Sequence, residues 1–212
     1  MTAFLLSVIA IFSYYAGSVN SMYLASNLVF HKDITAYGWS NLGITRFLND
    51  YGYKGVLKIA LVVLVQVAVP IIISGLLMLI VKQPEIGRAF SLFCILMGNV
   101  FPIMYRFEGQ NPIPALVLGS FAVSFGLGFI VVVSFAAVYF FTRYISLSAM
   151  VSVFVMYVMS IVTIDVSWVH NLCLICTLIV IVAYRKSIIP LLRRQEPKFI
   201  YKKDLSYMFD DE

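Results

Sequence analysis

The sequence predicts an all-α integral membrane protein of about seven transmembrane helices, N-terminus outside and C-terminus inside. Three observations carry that prediction: the composition, the uncharged runs, and the distribution of Lys and Arg along the chain. Of 212 residues, 62% are hydrophobic and only 12% charged, and the mean hydropathy is +0.97. A soluble domain carries about 45–50% apolar and about 25% charged residues. So few charges could not cover this much apolar surface, which excludes a water-soluble globule. Disordered, collagen-like and disulfide-rich classes fall with it. The apolar N-terminal run has no basic segment before it and outlasts a normal signal-peptide core, so no cleavable leader is expected.

About 20 apolar residues at about 1.5 Å each span the hydrocarbon layer. Thr2 to Phe30 contains no charge and gives the first span. Leu57 or Lys58 to Val81 is the second and Ala89 to Tyr105 the third. Ala115 to Phe141 is uncharged, and Ser146 to Ile164 and Ser167 to Tyr184 follow on either side of Asp165. The runs are continuous and lack the period-two alternation of an outer-membrane barrel, so helices remain.

Charge settles the 27-residue Ala115–Phe141 stretch, which could be one tilted helix or two short ones. Lys32, Arg46, Lys54 and Lys58 follow the first span, and Lys82 and Arg88 lie at the next connection. Arg106 and Arg143 stand alone, and seven basic residues crowd the tail from Arg185 to Lys203. Basic loops stay in the cytoplasm, so the first loop and the tail share a side only if Ala115–Phe141 crosses twice. The turn is expected near Ser124–Gly128. Seven crossings then leave thirteen basic residues inside and two outside. The chain reads as a single polytopic domain over 1–212, with a cytoplasmic loop over 31–56 and a basic cytoplasmic tail over 185–212. It shows no internal repeat.

That topology brings four polar segments to one face. The first, Lys32 to Arg46, holds Gly38, Ser40, Asn41, Gly43, Thr45 and Arg46. Its two glycines let backbone N–H groups approach an anion, and Arg46 can add a bidentate phosphate contact. An interfacial loop with ordinary turn residues has the same spacing. The second runs from Gly98-Asn99-Val100-Phe101-Pro102 through Phe107-Glu108-Gly109-Gln110-Asn111-Pro112 to Pro114, where Gly and Pro also serve as helix stops. The third is Thr142-Arg143-Tyr144-Ile145-Ser146-Leu147-Ser148, in which Arg143 suits a snorkelling anchor and the serines suit caps. The fourth is the tail, a topology signal and a contact for anionic lipid head groups.

Within the first span, Gly17 and Ser21 have the spacing of a close helix crossing, and Asn20 suits an interhelical hydrogen bond better than a substrate contact. Cys173 and Cys176 have CxxC spacing inside an apolar span, without a second pair, and read as small core residues. His170 and Asp165 fall at the outer end of the last hairpin, and His31 at a helix end. No metal site and no cofactor are expected, and nothing points to nucleic acid.

Taken in order, these segments resemble one family over nearly the whole chain: the bacterial acyl-phosphate-dependent glycerol-3-phosphate acyltransferases, the PlsY family. Gly17-Ser18 through Tyr23-Leu24 is similar to the family's G-S-x-P-x-x-Y-L. Asp33-Ile34 with Gly38 to Arg46 resembles D-I-R-x-x-G-S-G-N-x-G-A-T-N. Gly98 to Pro102 and Phe107 to Gly109 follow G-H-x-F-P and F-K-G-G-K-G, and Thr142 to Ser148 is close to T-R-Y-V-S-L-S. Arg185 to Glu196 has the outline of R-H-R-x-N-I-x-R-L-L-x-G-x-E. The departures fall on the polar positions. Trp39 replaces the motif serine, Ser40 a glycine, Arg46 an asparagine and Asn49 the downstream arginine. Asn99 replaces a histidine and Asn111 a lysine, while Tyr184 and Ser187 stand at the tail's histidine and asparagine.

The resemblance implies a multi-pass protein of the bacterial inner (plasma) membrane. It would move an acyl group from acyl phosphate to glycerol-3-phosphate, or to a related polyol-phosphate or alcohol acceptor, in phospholipid synthesis. It places Arg143, Ser146, Asn99 and Asn111 in catalytic positions. Substrate binding falls to Gly38, Ser40, Asn41, Gly43, Thr45, Arg46 and Gly109. Removing one preorganised donor at such a centre costs roughly 10²–10³ in rate, and Arg46, about one helical turn from Asn49, is placed to offset part of that loss. The alternative is a pseudoenzyme that keeps the fold and binds lipid or a protein partner without turnover. A transporter ranks last, because no span carries an intramembrane charge of the kind ion coupling leaves.

Overall fold

The computed structural model describes residues 1–20, 23, 24, 44–105 and 109–185, with backbone alone over 44–56 and at 59. Seven α-helices occur among them: α1 Thr2–Ser18, α2 Ile44–Met78, α3 Pro84–Val100, α4 Ile113–Val123, α5 Phe125–Thr142, α6 Ile145–Thr163 and α7 Ser167–Ala183. Two 3₁₀ turns, Leu79–Val81 and Ile103–Tyr105, follow α2 and α3. The all-helical expectation holds. Ala60–Val81, Phe125–Thr142 and Ile145–Thr163 are each long and apolar enough to cross a membrane.

Helix α3 is the hub. It packs against α1, α2, α4 and α7, and ten of its 17 residues are buried, from Gly87 to Val100. The core around it is built from Ile71, Leu92, Ile95, Leu96, Leu116, Val131, Val153, Met156 and Val180. Cys94, Cys173 and Cys176 are buried free thiols, and Cys173 and Cys176 lie inside this core, as small core residues would.

The turn expected within Ala115–Phe141 is present. Ser124 is extended (φ −153°, ψ 133°) between α4 and α5. A Cβ on Gly128 would overlap both backbone and ring of Phe121. Residues seven apart lie about 10 Å apart along one helix, so this contact requires the chain to fold back on itself.

Three boundaries differ from expectation. The first apolar run does not form one helix from Thr2 to Phe30, because α1 stops at Ser18 and Val19 is extended (φ −74°, ψ 129°). The third helix runs Pro84–Val100 rather than Ala89–Tyr105: Pro84 opens it in the first turn, and Phe101 leaves helical geometry ahead of Pro102. In the 31–56 connection, residues 44–56 are helical and extend α2 to 35 residues, about 50 Å, well beyond the bilayer core. Ile44, Phe47, Leu48 and Tyr51 carry the three- and four-residue spacing that supports a helix there.

Two interactions fix which helix ends lie together. The Thr177 hydroxyl donates to the Val153 carbonyl at 3.2 Å. Counting back about 1.5 Å per residue from that point places the start of α6 and the end of α7 at the same end of the bundle. Tyr14 on α1 donates to the Phe101 carbonyl at 2.6 Å, so the ends of α1 and α3 coincide as well.

Candidate functional site

Among the described residues, the motif positions Gly17, Ser18, Gly98, Asn99 and Gly109 come together where α1 and α3 end. Gly17 and Gly98 set the closeness of that crossing: a Cβ on Gly17 would strike the Ile95 carbonyl, and one on Gly98 would strike the Tyr14 carbonyl and the Ser18 nitrogen. The buried hydroxyls of Ser13 and Ser91 pair at 2.7 Å one turn further in, the small-residue and polar pairing expected of membrane helices.

A helix that stops inside a membrane leaves carbonyls without partners, and lipid supplies none. The Ser18 hydroxyl donates to Tyr14 O at 2.9 Å. The Gln66 side-chain amide of α2 donates to Ala16 O and Val19 O, at 2.5 and 2.7 Å. The Gln110 amide reaches the same place from the α3–α4 connection, donating to Val19 O at 3.0 Å and to Gly17 O at 3.5 Å. Asn20, 6% exposed, then opens a new turn: Tyr23 N–H donates to its Oδ1 at 3.2 Å, and Leu24 N–H to its carbonyl at 2.9 Å. Asn20 stands where the motif G-S-x-P-x-x-Y-L has proline. Both residues favour a helix start, proline by its fixed φ and asparagine by capping. A hydrogen bond of Asn20 is thus a local cap, and the glutamines reach across between helices.

The same end of α3 holds two predicted site positions. Asn99 is 6% exposed, and its carbonyl accepts from the Gln110 N–H at 2.8 Å. Gly109 lies flat on Val100, where a Cβ would come within 2.5 Å of the carbonyl oxygen. Asn111 is exposed at the mouth of α4. Its Oδ1 accepts from the Ile113 N–H at 3.1 Å and from the Tyr184 hydroxyl at 2.8 Å. Pro112 and Pro114 flank Ile113, so Asn111 supplies the acceptor that the helix start otherwise lacks. The position that resemblance gives to a lysine is here a neutral amide, its oxygen held by two donors and its NH₂ directed elsewhere.

The Arg143 turn is built differently. Thr142 Oγ1 donates to Val138 O at 2.7 Å and accepts from Tyr144 N–H at 3.4 Å. Arg143 between them is exposed and left-handed (φ 59°, ψ 18°), its N–H donating to Tyr139 O at 2.8 Å. Glycine ordinarily fills this helix-ending position. The only other non-glycine with positive φ among the described residues is Lys82 (φ 56°). Ser146 is 4% exposed in the first turn of α6, and Ser148 Oγ returns to Tyr144 O at 2.8 Å.

The structure therefore joins Asn99, Gly109 and Asn111 directly and ties them to the end of α7 through Tyr184. It sets Arg143 and Ser146 at that same end of the bundle. Thr45 and Arg46 lie on the first turn of α2, described by backbone alone. Gly38, Ser40, Asn41 and Gly43 lie outside the described residues, as do His31 and the tail beyond Arg185. His170 sits at the other end of α7, its Nε2 2.7 Å from Ile164 O, where it closes the α6–α7 turn. No group of three or more His, Cys, Asp or Glu that could hold a metal occurs among the described residues. Sequence reasoning missed Gln66 and Gln110. A lone amide in the Leu57–Val81 run was the available signal for Gln66.

The family model described as glycerol-3-phosphate acyltransferase matches residues 7–194. Relatives bearing that name include one from Francisella tularensis subsp. mediasiatica (strain FSC147), 31% identical over 194 residues and covering 90% of this chain and 91% of its own length. Another, from Staphylococcus haemolyticus (strain JCSC1435), is 27% identical over 199 residues, covering 90% and 96%. Crystal structures of PlsY (YgiH), an integral membrane glycerol 3-phosphate acyltransferase, superpose with TM-scores of 0.71 and 0.73 for the glycerol 3-phosphate and lysophosphatidic acid forms. Each is 19% identical and covers 92% of this chain, and 96% and 95% of the PlsY chain respectively. At that identity the superposition establishes the all-helical membrane fold. The family match over most of the chain goes further: the protein belongs to the glycerol-3-phosphate acyltransferase family.

Proposed function

We propose that this chain is an acyltransferase of membrane phospholipid synthesis, moving an acyl group from acyl phosphate to glycerol-3-phosphate or a closely related polyol-phosphate or alcohol acceptor. The acceptor hydroxyl oxygen bonds to the acyl carbon and the acyl–phosphate C–O bond breaks. Phosphate leaves with the electron pair, and the hydroxyl proton passes to it. The observation that carries the reading is the convergence of Asn99, Gly109 and Asn111 around the end of α3. It is joined by an Arg143 turn that keeps a cation in a conformation costing about 1–2 kcal/mol for a side-chain-bearing residue. Arg143 supplies a charge-assisted contact for phosphate, Ser146 a hydroxyl, and the amides of Asn99 and Asn111 neutral donors. Gly38, Ser40, Asn41, Gly43, Thr45 and Arg46 would cradle the acceptor.

Seven crossings with the N-terminus outside and the C-terminus inside put this end in the cytoplasm, and the membrane is the bacterial inner membrane. The 31–56 connection and the 185–212 tail then face the cytoplasm, within reach of membrane lipid.

Purified protein in liposomes should release phosphate from acyl phosphate only when the acceptor is present, and Arg143→Ala should abolish it. No turnover across a panel of polyol phosphates and alcohols would overturn the reading. A pseudoenzyme has one observation in its favour: both lone-pair sites of Asn111 Oδ1 are committed to structure, by Ile113 and Tyr184. It predicts co-purifying lipid and no turnover in the same panel.

A further inference from the structure

We propose that Gln66 and Gln110 are positioning residues, a paired clamp that holds the interrupted first helix and thereby sets the Gly109–Asn111 turn; the consequence for activity rests on the acyltransferase reading. Gln66 lies mid-span on α2, four residues before Pro70, a residue with no N–H to offer the Gln66 backbone carbonyl. Its side-chain amide places two donors on Ala16 O and Val19 O. Its Oε1 is buried without a partner. A buried amide normally finds bonds for both of its ends. Here the fold leaves the acceptor empty to keep both donors on α1, and turning the amide over would set oxygen against oxygen.

Val19 O is the shared point, because a carbonyl oxygen has two lone pairs and takes one amide from each side. Through it Gln66 is linked to Gln110, whose own N–H is bonded to Asn99 O. Gln110 is flanked by Gly109, which lies on the Val100 carbonyl, and by Asn111, which caps α4 and holds Tyr184. A break in the first helix, a polar side chain in the second and the turn bearing two candidate site positions therefore form one hydrogen-bonded chain. Releasing Gln66 frees Val19, and with it the anchor of Gln110.

The test uses the full-length protein in liposomes, with acyl phosphate and glycerol-3-phosphate as probes, and compares wild type, Gln66→Leu and Thr177→Val. The last removes a buried interhelical bond remote from the turn. Positioning predicts that Gln66→Leu lowers kcat about tenfold with KM for the acceptor little changed, in the range expected when a reacting group is displaced without loss of binding. It also predicts faster amide hydrogen exchange over residues 109–111, whereas Thr177→Val changes neither once corrected for folded protein. Gln66→Glu, which when protonated keeps one donor, should fall between wild type and leucine. If Gln66→Leu does not fold, Gln110→Leu carries the same comparison. Unchanged exchange over 109–111, or a loss of activity no larger than that of Thr177→Val, overturns the clamp. A wild type without turnover overturns the acyltransferase reading instead, and the exchange measurement still decides the clamp.

Discussion

Replacing Arg143 by glycine separates the two reasons a residue can occupy that turn. Its backbone is left-handed (φ 59°, ψ 18°) and its N–H closes the end of α5 on Tyr139 O. A Cβ in this region costs about 1–2 kcal/mol, while glycine gives back about 0.4–1 kcal/mol through its freer unfolded chain. Arg143→Gly should therefore be more stable than Arg143→Ala by about 0.5–1 kcal/mol. For a chain of this size that is about 1–4 °C in Tm. Both variants lose the guanidinium, so both should lose roughly 10²–10³ in rate if it contacts the transferring phosphate. Lys82 is the internal control, sharing the conformation (φ 56°) in the α2–α3 connection, at the opposite end of the bundle. Lys82→Gly should show the same stability advantage over Lys82→Ala with activity unchanged. Thermal unfolding in detergent and phosphate release in liposomes read the two quantities. An Arg143→Gly variant that keeps half of wild-type activity would refute the catalytic role, and one less stable than Arg143→Ala would refute the strain.

Further outcomes follow from the same geometry. Gly98→Ala places a methyl on the Tyr14 carbonyl and the Ser18 nitrogen, where backbone cannot yield as a side chain can. It should cost about 3 kcal/mol or more, seen as a large fall in Tm or in folded yield, and a near-neutral change would show that α1 and α3 can part. Asn111→Ala removes the α4 cap and the Tyr184 bond together and should cost about 1–2 kcal/mol. Tyr184→Phe, which removes only the second, should cost less, and a double-mutant cycle in Tm measures the coupling. In a background without the three cysteines, single cysteines at Lys82 and Arg185 should label from opposite faces, Lys82 from outside. Labelling of both from one face would end the seven-crossing topology.

Much of this was legible in the sequence, because a bilayer leaves few options. Uncharged runs had to be helices, and the positions of 15 Lys and Arg predicted a turn within Ala115–Phe141, which the structure has at Ser124. Motif order and type also singled out Asn99, Gly109, Asn111 and the Arg143–Ser146 turn, which among the described residues lie toward one end. Only the tertiary structure decided the broken first helix. An uninterrupted apolar run from Thr2 to Phe30 reads as one helix. Its stop at Ser18 depends on amides from Gln66 and Gln110, 47 and 91 residues from Val19 in the chain, meeting the freed carbonyls. The same holds for Asn111, whose pairing with Tyr184 spans 73 residues, and for the left-handed backbone of Arg143, since a motif states which residue is present and not its φ. Hydropathy and charge are sums along the chain, whereas the satisfaction of a particular carbonyl depends on which distant donor folding delivers to it.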